Sequence, residues 1–180
     1  MPTAPEPPPA SASAPASAPA FAIRPARPDD ATAVVALIRG LAEYERLTHL
    51  CVATEADIAG ALFGPRPFAE VLLAESAGVT VGFALYFTNF STFLGRPGLW
   101  LEDLFVLPEH RRCGIGRALL RTLAAIARER RCGRFEWAVL DWNAPAIAFY
   151  RSLGADVLAD WRIVRVTGSA LDGLAPPPAA

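Results

Sequence analysis

The chain has 180 residues and a mass of 19.2 kDa, the length of one ordinary domain, and at 53% hydrophobic and 19% charged it can fill a sizeable core. It contains no run of about 20 uninterrupted apolar residues, which argues against an integral membrane protein. The balance of 17 basic against 18 acidic residues leaves no global basic field for nucleic acid, and every basic residue is arginine, which removes lysine nucleophiles and Schiff-base chemistry.

Residues 1–20 hold seven Pro, seven Ala and three Ser, too few large apolar side chains to offset the entropy of ordering, and they read as a disordered tail. Neither a secretory signal nor a mitochondrial presequence is expected, since no basic start, apolar run or arginine precedes Arg24. Phe21 to Arg24 reads as a short strand stopped by Pro25 and Pro28, after which Asp29 or Asp30 can cap a helix carrying Val34, Leu37, Ile38 and Leu41 at helical spacing. Thr54-Glu55-Ala56-Asp57 resembles a capping box opening a second helix, ended by Gly64 and Pro65. Glu70 to Glu75 and Val79 to Phe90 read as an antiparallel hairpin, and Leu99 to Val106 as a third, largely buried strand. A helix follows from Gly114 to about Arg131, burying Leu119, Leu120, Leu123, Ile126 and Ala127 and turning Arg117, Arg121 and Arg128 to solvent. Arg134 to Leu140 reads as a strand, Ala144 to Leu153 as a helix closed by Gly154, and Trp161 to Thr167 as a final strand. The order is α+β with a central βαβα unit. The folded body is expected over residues 21–170, with a flexible C-terminal tail at 171–180.

Three cysteines, Cys51, Cys113 and Cys132, form an odd set with neither zinc-site spacing nor the even count of a disulfide framework, so a reducing cytoplasm is expected and no metal.

Chemistry concentrates where a buried strand runs into an Arg- and Gly-containing loop, Leu101-Glu-Asp-Leu-Phe-Val-Leu-Pro-Glu-His-Arg-Arg-Cys-Gly-Ile-Gly116. Such a loop presents unpaired backbone N–H groups at the positive end of a helix dipole, which suits an anion. Gly114 and Gly116 let an oxyanion approach the backbone, and Arg111 and Arg112 can supply charge-assisted donors. The loop is neither a Walker loop nor a three-glycine dinucleotide fingerprint. Eight arginines between residues 111 and 134 are a weak basis for nucleic-acid binding, because no aromatic stacking platform accompanies them and no nucleic-acid partner is expected.

About 27 residues beyond Gly116 comes Asn143-Ala-Pro-Ala-Ile-Ala-Phe-Tyr-Arg-Ser-Leu-Gly154, in which Asn143 suits a helix cap and Pro145 a first turn. Together the two segments resemble the acetyl-CoA site of the Gcn5-related N-acetyltransferases. With Phe21-Ala-Ile-Arg-Pro-Ala, Leu41-Ala-Glu-Tyr-Glu45, Gly82-Phe-Ala-Leu-Tyr-Phe and Trp142-Asn143 included, residues 21–167 are similar to the spermidine/spermine (diamine) branch and its thialysine-acetylating relatives.

That resemblance implies a mixed, mostly antiparallel central sheet flanked by helices, the acyl-CoA N-acyltransferase fold. It also implies an enzyme that moves an acetyl group from acetyl-CoA to a primary amine of a small molecule, a diamine or polyamine first and a thialysine-like amino acid as the alternative. A non-catalytic acyl-CoA-binding module is the rival reading. The cofactor site implied comprises Leu104, Phe105 and Val106, the loop residues Arg111, Arg112, Cys113, Gly114, Ile115, Gly116 and Arg117, and Asn143 and Tyr150. A strand bulge is implied that lets Glu102 and Asp103 share a cleft and frees an N–H near Phe105 or Val106 for the thioester oxygen. Glu102 is implied as the base that accepts the ammonium proton, and Tyr150 as the acid that protonates the departing thiolate. Tyr44, Glu45, Glu102 and Asp103 are implied as contacts of a cationic substrate, with Trp161 adding a cation–π face, and a homodimer is implied. Two segments depart from the diamine enzymes: Arg46-Leu-Thr-His49, where they are more acidic, and Asn89-Phe-Ser-Thr-Phe93, where they carry an aspartate and a tryptophan. Fewer acids favour a shorter or singly charged amine.

Overall fold

The computed structural model describes residues 21–176; the expected tail over 1–20, and residues 177–180, lie outside the described residues. The described residues divide into two compact units, one running to Ala138 and one from Val139.

The first unit is built on a five-stranded sheet whose spatial order follows the sequence: β1 (Ala22–Pro25), β2 (Glu70–Ser76), β3 (Val79–Ser91), β4 (Arg96–Val106) and β5 (Arg134–Trp137). The first four pair antiparallel and β5 joins β4 in parallel, a connection that requires the crossover helix α3 (Ile115–Glu129). Ala77 and Gly78, both at positive φ, make the two-residue β2–β3 turn, whose twist matches that of the strands it joins.

Before β2 come α1 (Ala31–Tyr44) and α2 (Glu55–Phe63). Asp30 precedes α1 but does not cap it with its side chain, because that carboxylate is already engaged by Arg24 at 2.7 and 2.8 Å and by the Arg27 N–H at 2.6 Å. Arg24 holds the Asp30 acid down to about 2. The Thr54–Asp57 box forms as expected: the Asp57 N–H donates to Thr54 Oγ1 and the Thr54 N–H to the Asp57 carboxylate. Val34 and Leu37 of α1 and Leu62 of α2 close over Val71, Leu73, Phe83 and Phe105 on one face of the sheet. The α3 helix covers the other face, burying Leu119, Leu120, Leu123 and Ala127, with Arg130 reaching the Tyr86 ring at 5.7 Å. Arg117, Arg121 and Arg128 stay in solvent.

In the second unit, Asn143 Oδ1 accepts the Ala146 N–H and opens α4 (Ala144–Arg151), and Gly154 at φ +85° follows its end. A short helix, α5 (Ser169–Leu174), lies partly within the stretch expected to be a flexible tail.

Two expected strands are corrected. The one from Arg134 stops at Trp137, where its ladder with β4 ends at Leu101. The one from Trp161 to Thr167 does not form: Trp161 is 77% and Val164 88% exposed, and among the described residues no strand offers this stretch a ladder. β-branched and aromatic residues favour a strand only when a neighbour supplies hydrogen bonds and burial.

Candidate active site

The site begins with a register fault. Opposite β3, the pairing runs Phe83 to Phe105 and Leu85 to Asp103, then steps from Tyr86 to Leu101, which leaves Glu102 with no opposite residue. This is a β-bulge, and it changes which way the side chains point. Phe83 and Phe105 face α1, so Asp103 opposite Leu85 faces α1 as well. The Glu102 carboxylate accepts the Trp100 Nε1–H at 2.9 Å, and residues two apart in a strand share a face. Glu102 and Asp103, which an ordinary strand would split between faces, therefore stand together.

Their third neighbour is Glu45, directly after α1. Burial, with Glu102 and then Glu45 as like charges nearby, pushes the Asp103 acid up to about 6. Burial raises Glu45 too. Three carboxyl groups thus crowd one face, Asp103 half-buried and Glu102 exposed, and a cation entering there would relieve their repulsion. Trp100 was absent from the expected site; its spacing two residues before Glu102 is the signal that could have found it.

Beyond the bulge, β4 loses its second neighbour. β5 pairs only with Gly98–Leu101, so among the described residues 102–106 have no strand paired on that side, an open edge of the ladder. The Leu107 N–H donates to the Val81 carbonyl at 2.9 Å, so alternation turns the Leu104 and Val106 N–H groups away from β3 and toward the open edge. Of the two residues expected to carry a free N–H, Val106 is the one with its N–H on that edge, while the Phe105 N–H points to β3 and its ring is buried in the core under α1.

The strand then enters the loop. Arg112 at φ +62° and Gly114 at φ +88° are both left-handed, which curls the backbone tightly into α3. The first intrahelical bond of α3 is Ala118 N–H to the Gly114 carbonyl at 3.0 Å, so the Ile115, Gly116 and Arg117 N–H groups lie before any helical partner and their positive end is available to an anion. The Ile115 side chain is buried and anchors the turn. Cys113 is exposed, and its Sγ lies 3.5 Å from the Arg111 carbonyl. Arg112 and Arg117 are exposed and, among the described residues, make no salt bridge. Arg111 behaves differently: its Nε donates to the Val106 carbonyl at 2.9 Å and its guanidinium lies over the Tyr44 ring. An open strand edge leading to a curled, cationic helix start fits an extended ligand that ends in a diphosphate.

The first unit therefore brings together Tyr44, Glu45, Glu102, Asp103, Leu104 to Val106 and Arg111 to Arg117. Asn143, Tyr150 and Trp161 belong to the second unit. Asn143 is buried as the cap of α4, Tyr150 is half-buried with its ring 5.5 Å from Phe149, and Trp161 lies on exposed irregular chain. A separate groove of about 800 Å³ beside α2 is lined by Phe63, Phe68, Tyr86, Glu70 and Arg130. Its two charges are spent on each other in a bidentate pair at 2.6 and 2.7 Å, so it offers no free charge to a substrate.

Comparison with known proteins identifies the family and the fold. The model of the acetyltransferase (GNAT) family matches residues 30–155. The chain is 36% identical to an L-ornithine N5-acetyltransferase of Arabidopsis thaliana, over 84% of this chain and 86% of that one. It is 37% identical to a thialysine N-epsilon-acetyltransferase of Mus musculus, over 85% of this chain and 96% of that one. Among solved structures, an integron cassette protein from the mobile metagenome of V. cholerae superposes with a TM-score of 0.73 at 28% identity, covering 86% of this chain and 97% of its own.

Proposed function

The chain belongs to the acetyltransferase (GNAT) family and is an acetyl-CoA-dependent N-acetyltransferase of small amines, and from that premise we propose that its acceptor is a small compound carrying two or more amines. Diamines and polyamines are the first class. Diamino acids are the second, favoured by relatives that act on ornithine and thialysine. The observation that carries the reading is the bulge at Glu102, which gathers Glu102, Asp103 and Glu45 where a cationic acceptor can pair with them.

In the proposed reaction the open edge of β4 and the Arg112 to Arg117 turn hold acetyl-CoA. An alkyl ammonium with a pKa of about 10.4 must lose a proton before its nitrogen can attack. Glu102 takes that proton, directly or through water, with the Asp103 carboxyl beside it. The amine nitrogen then bonds to the acetyl carbon, the Val106 N–H receives the thioester oxygen, and the carbon–sulfur bond breaks. Tyr150 donates its phenolic proton to the departing thiolate, and the proton that the newly acylated nitrogen still has to shed to become an amide returns through solvent to the phenolate. Asn143 fixes the start of the helix that carries Tyr150 and is proposed to touch the cofactor arm. Trp161 is proposed to present a cation–π face to the acceptor, and a second copy of the chain to complete the cleft as a homodimer. Three free cysteines suit a reducing cytoplasm, which is where the enzyme is proposed to act. The proposed domain spans residues 21–170.

The test is a mass-spectrometric screen of purified protein, acetyl-CoA and a mixture of diamines, polyamines and diamino acids. Acetylated diamino products are expected; no acetylated amine at all would refute the reading. Tyr150→Phe should lower kcat far more than coenzyme A affinity, and unchanged turnover would remove Tyr150 from the mechanism.

A further inference from the structure

We propose that Arg111 is a positioning residue that clasps the coenzyme loop to the acceptor side of the site, and that Arg112 and Arg117, rather than Arg111, meet the diphosphate. The proposal rests on the function proposed above and concerns the same site.

The geometry is particular. Arg111 Nε donates to the Val106 carbonyl at 2.9 Å, while its guanidinium carbon lies 4.6 Å from the centroid of the Tyr44 ring and 5.4 Å from that of Phe105. Both rings fall within the roughly 6 Å at which the aromatic quadrupole attracts a cation. One side chain thus spans three pieces of chain: the last residue of α1, the end of β4 and the turn into α3. Among the described residues Arg112 and Arg117 make no such contacts, and both are exposed.

Two consequences follow from what Arg111 holds. A strand residue's carbonyl and N–H point to the same side, so fixing the Val106 carbonyl also fixes the N–H proposed to receive the thioester oxygen. Tyr44 immediately precedes Glu45, so holding the Tyr44 ring over the loop settles the end of α1 and with it the third carboxylate of the acceptor cluster. Lysine cannot replace this. It keeps the charge but lacks the planar face that stacks and an Nε–H beside it to reach a carbonyl.

The experiment measures kcat, KM for the amine and, by calorimetry, Kd for coenzyme A in Arg111→Ala, Arg111→Lys, Tyr44→Ala and the Arg111→Ala/Tyr44→Ala pair, with Arg112→Ala/Arg117→Ala alongside. Arg111→Ala and Arg111→Lys are expected to behave alike, with amine KM raised about tenfold, kcat lowered and coenzyme A Kd changed less than about threefold. Tyr44→Ala should reproduce the rise in amine KM, and the double variant should be no worse than either single one, because both remove the same contact. Arg112→Ala/Arg117→Ala should weaken coenzyme A binding and flatten its salt dependence. Rescue by Arg111→Lys, or loss of coenzyme A binding in Arg111→Ala with amine KM unchanged, would overturn the clasp. Failure of the wild-type chain to acetylate any amine would refute the proposed function alone. The coenzyme A titrations would still decide the clasp: retained affinity in Arg111→Ala supports it, and loss restored by lysine refutes it.

Discussion

Asp103→Asn separates stability from catalysis at one position. The Asp103 acid is raised from 3.8 to about 6 by burial and by Glu102 and Glu45, so the folded state resists ionising it. A shift of roughly two units corresponds to about 3 kcal/mol, an upper figure for a half-buried group. The sign follows from linkage. Below pH 3.8 the acid is neutral in both the folded and unfolded chain and costs nothing; between 3.8 and about 6 the unfolded chain ionises first, and the penalty grows; above about 6 it is fully present. Asparagine has no such penalty. Its variant should melt several degrees higher than wild type at pH 8, the advantage shrinking by about half near pH 5 and vanishing near pH 3.5, at about 2–4 °C per kcal/mol for a chain of this size. The same substitution removes a negative charge from the acceptor cluster and should lower kcat/KM for a diamine by about 10- to 100-fold. In wild type, kcat/KM should fall with an acid limb at an apparent pKa near 6, which the variant loses or displaces. Thermal melts and initial rates from pH 4 to pH 8 test both halves. A variant less stable than wild type at pH 8, or equally displaced at every pH, would refute the electrostatic reasoning.

Other substitutions probe the loop and the scaffold. Gly114→Ala keeps open space around the new methyl but forces it to φ +88°, at about 1 kcal/mol, so both the melting temperature and coenzyme A affinity should drop; unchanged affinity would mean that the curled turn does not hold the diphosphate. Thr54→Ala removes the acceptor of the Asp57 N–H and should cost about 1 kcal/mol in chemical denaturation, leaving kcat/KM unchanged because α2 carries none of the site. Glu70→Gln leaves Arg130 without its bidentate carboxylate and should destabilise the protein by at most about 1 kcal/mol, as an exposed pair would.

Much of this protein was legible in its residues because the deciding interactions are local. The Thr54–Asp57 box, the Asn143 cap, the Gly114 turn and the α3 stripe each depend on neighbours within one or two turns, and hydrophobic period fixes which face is buried. Asp30 shows where local reasoning ends: its carboxylate goes to Arg24, placed beside it when β1 joins the sheet, and not to the helix it precedes. The Trp161–Thr167 stretch shows the same from the other side, since strand propensity is expressed only where a ladder forms and buries the side chains, and this exposed stretch is in none among the described residues. The resemblance of the chain to a known family implied a bulge, but which residue it ejects is set by β3 pairing across β4. That pairing put Glu102 and Asp103 on one face and turned the Val106 N–H away from β3, and burial together with Glu102 and Glu45 then raised the Asp103 acid. Arg111 could be read from its spacing as an anion ligand; only the approach of α1 to the end of β4 gave it the Tyr44 ring and the Val106 carbonyl. Periodicity and capping act over a few residues and are written in the chain, whereas register and long-range charge contacts exist only once distant segments meet.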